Sequence, residues 1–497
     1  MFSSGVAHDN VTSEDLRSLL HGGQFKRARE ILATREDACA LIERARLAFF
    51  LDNDHDETLR LAEQVQSAHD ASAGQRLLGR ILDRLVAAAQ EKPIGAVIDA
   101  QDLASVEQSM VAEVVYFAAY AAYVAHDLAT AEAWLHFHKT DSPEWQARYL
   151  VLGGTIAAAN ERLLTQAELT SEALDILESR APDHIVLIAN AARHLAVLAR
   201  DVPRVDAIDR LERILKRIGD DDGFTGSRFH VVRSLGWSHA VRGDYETAMR
   251  FVLRSTFEAT NDIERLYAHL DHAATAVFAH EQAGSAARAA FAIARDLMNS
   301  IPWNTVVTDD LVALPLAAQV AAEFGAAAEA KRYCELAAQM RGHIIARLPL
   351  AHDGRYEAFL NEAVSLAYAD ADRRRAMAAA ADAYETYKHI GFAWRAARMA
   401  ILLYQLTRNP KWKARALAHL EAYPKSPFHR LLERPRALTK RQEDVLELVR
   451  LGFDDDRIAY ELGISYKTVR IHVGRLFHWY GVKNRSALMA KAVANAV

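Results

Sequence analysis

The sequence predicts an all-α protein, a long array of αα-hairpins followed by a small four-helix domain. Three observations predict it. Alanine-rich stretches carry apolar residues at i, i+3, i+4 and i+7, the spacing of one helix face, as in "AMRFVLRSTF" at 248–257. Short polar or glycine turns separate them, and from residue 160 onward they recur about every 40 residues, room for two helices and two turns. No stretch alternates apolar and polar residues long enough to build a sheet. At 497 residues the chain also exceeds what one compact core accommodates.

The turns come in order as "GGQF" at 22, "DNDHD" at 52, "QEKPIG" at 90, "HDLAT" at 126 and "ANER" at 159. They continue with "RDVPR" at 200, "RGDYE" at 242, "QAGSA" at 282, "EFGAA" at 323, "ADADR" at 369 and "TRNPK" at 407. Roughly ten hairpins then fill 11–423 as an open superhelix, a form suited to holding a partner on its concave face. Pro424, Pro427 and Pro435 follow closely on one another, stop helices, and read as a linker over 424–437.

Composition narrows the class. Cys39 and Cys334 cannot build a disulfide framework and suit a reducing compartment. The opening "MFSSGVAHDN" has no apolar signal region, and the most apolar run, "VVYFAAYAAYVA", is too short to span a membrane, so a cytoplasmic protein is expected. Charge is uneven. Residues 434–497 carry 12 Lys/Arg against 7 Asp/Glu, whereas the rest is acidic, so the tail is the part expected to meet a polyanion.

Past the linker the tail parses into four short helices. Thr439 can cap the first, which puts Val445, Leu446 and Val449 on one apolar face. Asp454–Asp456 place negative charge at the start of the second, Ile458, Ala459 and Leu462 form its buried face, and Gly463 ends it. Ser465 caps a third helix only a few residues later, the spacing of a helix-turn-helix whose second member enters the major groove. Val469, Leu476 and Tyr480 can face inward there, leaving Lys467, Arg470, Ile471, Gly474 and Arg475 outward. Ser465, Lys467 and Thr468 stand at its N-terminus, where side chains and backbone N–H groups hold phosphate.

These residues resemble a known family. The tail is similar to the LuxR-type helix-turn-helix domain through Leu438-Thr439, Arg441, Val445-Leu446, Gly452, Ile458-Ala459, Leu462, Ser465, Thr468-Val469, Arg470, His472, Leu476, Gly481-Val482 and Arg485. The resemblance implies base reading by Arg470, Ile471 and Gly474, with Arg475 beside them. It implies phosphate contacts by Thr468, His472, Lys483, Asn484 and Arg485, and a homodimer formed through the last helix by Leu488, Met489 and Val493. Gln442, Gly474 and Trp479-Tyr480 depart from the family's usual residues.

The array has a resemblance of its own. "SLGWSHAVRGDYETAMRFVLRS" at 234–255 resembles a tetratricopeptide repeat, with Gly236 and Ala248 as close-packing residues and Gly243 in the turn. Weaker echoes pair Gly325 with Ala330 and Gly284 with Ala289, and place Ala131 at the small-residue position.

Other signals read plainly. Tyr116, Phe117, Tyr120 and Tyr123 are taken as core rather than a ligand cage. His269 and His272 share a helix face but lack further ligands, and no metal, cofactor or catalytic motif is expected. No G-x-x-x-x-G-K-[ST] loop is present. The expectation is a bacterial transcription regulator with a tetratricopeptide-like domain at 1–423 and a LuxR-type domain at 438–497. It binds double-stranded DNA, with a peptide, protein or small molecule on the repeats and RNA polymerase as a further partner. The alternative is an interaction scaffold or anti-activator whose tail no longer reads sequence.

Overall fold

The computed structural model describes residues 13–90, 92–202, 207–219, 225–279, 284–306, 311–347, 354–433, 440–480, 482 and 484–494. Among them every regular element is a helix. Alternate helices form an inner layer in which each packs on the next: Ala38–Leu47, Ala73–Ala89, Gln108–Val124, Pro143–Ala159, Ile185–Asp201, Thr225–Arg242, Asp262–Ala279, Ala313–Glu323 and Gly354–Tyr368. Intervening helices such as Leu163–Arg180 and Tyr245–Glu258 form an outer layer, each against its own hairpin partner.

The turns explain the repetition. Gly23, Asn53, His126, Glu161, Gly243, Gly325 and Arg408 all have positive φ, and each lies in one of the turns read from the sequence. Most close their helix in the same way. At Gly243 its own N–H bonds the Ala240 carbonyl while the Asp244 N–H reaches back to His239, and the same pair recurs at His126, Glu161 and Gly325. This is the left-handed C-terminal cap that satisfies a helix's last carbonyls and reverses the chain. Asp54, Asp127 and Asp244 then cap the next helix, each accepting from the N–H three residues on. Gly243 has a second constraint, because a Cβ there would collide with the Lys425 carbonyl.

Packing bears on the small residues. Ala131, Ala248 and Ala330 are wholly buried, and a Cβ on Gly236 would sit 2.8 Å from a Val252 methyl. The Gly284–Ala289 echo is corrected: Gly284 has an ordinary negative φ, and Ala289 is exposed. The inward face of Ser285–Ser300 is set by Ala287, Ala290 and Ala294.

The superhelix is not open along its length. In its C-terminal half the centre is filled by Trp394, which stacks on Trp237 and Phe428 at 5.7 and 5.9 Å and donates its indole N–H to Asp201, 193 residues away. Glu362, fully buried, accepts from Arg395, Arg398 and the Tyr387 hydroxyl. Arg398 also pairs with Glu323, whose pKa burial raises against the pull of Arg398. Burial alone would raise Asp201 too, but Arg200, Arg395 and Trp394 hold it below the usual carboxylate range.

The linker reading is corrected as well. Residues 424–433 are folded onto the body: Ser426, Phe428 and Leu432 are buried, and Phe428–Glu433 is a helix. Pro427 stands just before that helix, where a missing N–H costs nothing, so it starts a helix rather than preventing one.

Candidate nucleic-acid interface

The tail folds around its own small core of Val445, Val449, Ile458, Val469, Val473, Leu476 and Leu488. Its helices are Lys440–Arg450, Asp455–Leu462, Tyr466–Tyr480 and Arg485–Ala494. Asp454 caps the second helix by accepting from Arg457 N–H at 2.9 Å. Gly463, at φ +60, ends it, with Ile464 N–H returning to Ala459. Two residues later Ser465 accepts from Thr468 N–H at 3.1 Å and lies 2.8 Å from the Thr468 hydroxyl. These caps fix a tight turn between two crossing helices.

Charge is sorted by helix. Arg441 pairs with Asp444, Arg450 with Glu447, Arg457 with Glu461 and Arg485 with Asp455. Helix Tyr466–Tyr480 contains no acid. Its Lys467, Arg470 and Arg475 are exposed with no carboxylate partner among the described residues, beside Ile471 and Tyr466, which are nearly half exposed. Nothing lies within 4 Å of where a Cβ on Gly474 would be. The outward face is therefore cationic, with an apolar strip and a flat spot at Gly474.

Residues 436–492 match the family described as bacterial regulatory proteins, luxR family. The tail is a LuxR-family helix-turn-helix domain. No curated protein matches the chain. Within this LuxR-type domain Arg470, Ile471, Gly474 and Arg475 share one exposed face, and Ser465, Lys467 and Thr468 gather at its end. His472 is half-buried, and burial, with Arg475 and Arg441 nearby, lowers its pKa.

Other residues have different surroundings from those expected. Both arms of Arg485 are taken up inside the domain, by Asp455 and the Phe453 carbonyl, so it clasps two helices together. Asn484 caps the last helix through Ala487 N–H. Leu488 is wholly buried in the domain's core and presents no surface to a second copy, and Met489 packs beside it. Sequence pattern alone does not separate the two, because an apolar face on the last helix serves a dimer or the domain's own core equally well. Lys483 and Gly481 lie outside the described residues, as do Thr439 and the side chains of Trp479, Tyr480 and Val493. Sequence reasoning also missed Val473, one turn from Val469 and buried with it, and Tyr460, 86% exposed on the second helix.

Elsewhere, His21, Glu144 and His184 bring three metal-ligating atoms within 4.8 Å of one another. Arg148 already holds Glu144 at 3.1 Å, a cation that disfavours a metal there. The cluster instead clasps the N-terminal helix to the inner layer. His269 and His272 join no such group among the described residues. No helix among them is long and apolar enough to cross a membrane.

Proposed function

We propose that the chain is a cytoplasmic transcription regulator whose helix Tyr466–Tyr480 reads promoter DNA as part of a homodimer. A ligand or partner held by the tetratricopeptide-like body controls that binding. The observation that carries the reading is the sorting of charge: acids and arginines pair off on the other tail helices and leave Lys467, Arg470 and Arg475 unpaired on the outward face of this one. Arg470 forks onto guanine, Lys467 and the capped N-terminus with Ser465 and Thr468 hold phosphate, and Ile471 meets a thymine methyl. His472 and Asn484 stand near the backbone. Gly474, with open space about it, lets the helix sit deep in the groove.

Salt-titrated binding of the full-length protein to a pool of genomic fragments tests this. Arg470→Ala should cost ~1–3 kcal/mol and relax preference at one base pair. Lys467→Ala should weaken all sequences equally and reduce the salt slope by about one. Enrichment of no motif by the native protein would instead support the scaffold reading.

A further inference from the structure

A cavity of about 1110 Å³ opens in the N-terminal half of the inner layer. It lies where helix Ser13–His21 folds across to helix Ile185–Asp201. His21 closes that junction, 3.6 Å from Glu144 and with its ring 3.7 Å from that of His184.

One wall is aromatic. Tyr116, Phe117, Tyr120 and Trp145 line it, from helices Gln108–Val124 and Pro143–Ala159. Phe117 is buried, but Tyr116 and Tyr120 are only partly covered. Opposite them the chain makes a π-helical turn at Ala48–Asp52, a rare element that concentrates at functional sites. It turns Phe50 and Leu51 into the cavity with 45% and 47% of their surface uncovered. Phe50 lies 5.6 Å from Tyr120 and 6.2 Å from Phe117, ring-to-ring contacts that join the two walls into one aromatic surface on the cavity.

The polar rim has a sign. Arg46 is satisfied by Glu43 and Glu113, and Arg148 by Glu144. Arg17, Lys139 and Arg193 also line the cavity and have no carboxylate partner among the described residues, against one remaining acid, Asp141. Arg193 stands close enough to Tyr120 to act on its hydroxyl. Because Arg46 takes two acids, the five Lys and Arg of the lining face four acids, and the one positive charge left over in a concave, partly apolar space favours an anion.

We propose that this cavity binds a small organic anion with an apolar body, its ring or chain laid against the surface formed by Phe50, Tyr116 and Tyr120 and its carboxylate on Arg193 and Arg17. Such a molecule covers the exposed Phe50 and Leu51 and neutralises the rim at once. A neutral molecule of the same shape does only the first. This deepens the reading of the body as a sensor. Binding is measured without DNA, so its failure leaves the DNA reading standing, and the loss of DNA recognition leaves this one standing.

Isothermal titration of the full-length protein uses two probes, 1-naphthoate and decanoate, each beside its neutral amide. The expected result is saturable one-site binding of at least one acid, about ten-fold or more tighter than its amide. Which acid binds better tells an aryl from an acyl body. Arg193→Gln should weaken the acid about ten-fold and leave the amide unchanged, while Phe50→Ala weakens both. Both positions are exposed, so neither variant should unfold, and circular dichroism checks that. Binding of neither acid overturns the proposal. So does an amide that binds as well as its acid, or an affinity indifferent to both substitutions.

Discussion

The two halves of the inner layer are built from the same hairpin, yet one encloses side chains and the other encloses space. From Ile185–Asp201 onward the centre holds Trp394, Phe428 and the Glu362 network, all buried. Before it the centre is the cavity, with Phe50 and Leu51 left uncovered. A repeat therefore fixes where inner helices run but not whether their faces meet. That is decided by the bulk of a few inward residues and by one helix, Phe428–Glu433, supplied from outside the array.

The sharpest way to break this contrast is to empty the filled half. Glu362→Ala leaves Arg395 and Arg398 buried without their shared acceptor and should cost about 3–5 kcal/mol, read by urea denaturation. A loss well under 1 kcal/mol would mean that water reaches the network and the half is not closed. Next comes one substitution made in both regions. Phe428→Ala should cost about 3 kcal/mol or more, because the side chain is wholly buried. Phe50→Ala should change stability by no more than about 0.5 kcal/mol in the same assay. Equal losses would erase the distinction.

A smaller effect probes the seam. His194 and His230 lie on helices that border the cavity, and burial, helped by Arg193, pushes both down from 6.5 to about 3. The unfolded chain takes up these protons near pH 6.5, whereas the folded one refuses them until about pH 3. Stability is therefore fully present above pH 6.5 and is lost as pH falls toward 3. Melting temperature should drop across that window, and His230→Gln should flatten part of the slope. A slope unchanged in the variant would show the seam to be as wet as the cavity.

What was legible in the sequence was local. The turns were found because Gly243, Gly325 and their polar neighbours signal a reversal, although His126, Glu161 and Arg408 fill the same left-handed position with residues that give no such signal. The ends at Gly463 and Ser465 are legible from residue type and the outward face of the third tail helix from helical periodicity, whereas Asp454, read only as favourable charge at a helix start, is that helix's cap. What was not legible joins distant segments. Trp394 to Asp201, Gly354 to Glu161 and His21 to Glu144 are separations that no short window spans. The surroundings of Leu488 and Arg485 are hidden for a related reason: an apolar or charged residue on a helix face does not say whether its partner lies in the same domain.

One helix belongs to both halves. Ile185–Asp201 offers Asn190 and Arg193 to the cavity and ends at Asp201, which holds Trp394 against Phe428. Phe428 begins the short helix from which the chain departs toward the tail. At 1.5 Å per residue Arg193 stands about 12 Å along the helix from Asp201, so one strut carries a wall of the cavity and the root of the segment leading to the tail. If occupancy of the cavity changes affinity for DNA by some factor, thermodynamic reciprocity requires DNA to change affinity for the occupant by that same factor. The promoter would then act as an effector of the sensor, and molecules bound at their operators would respond to a different concentration of the signal from those free in solution.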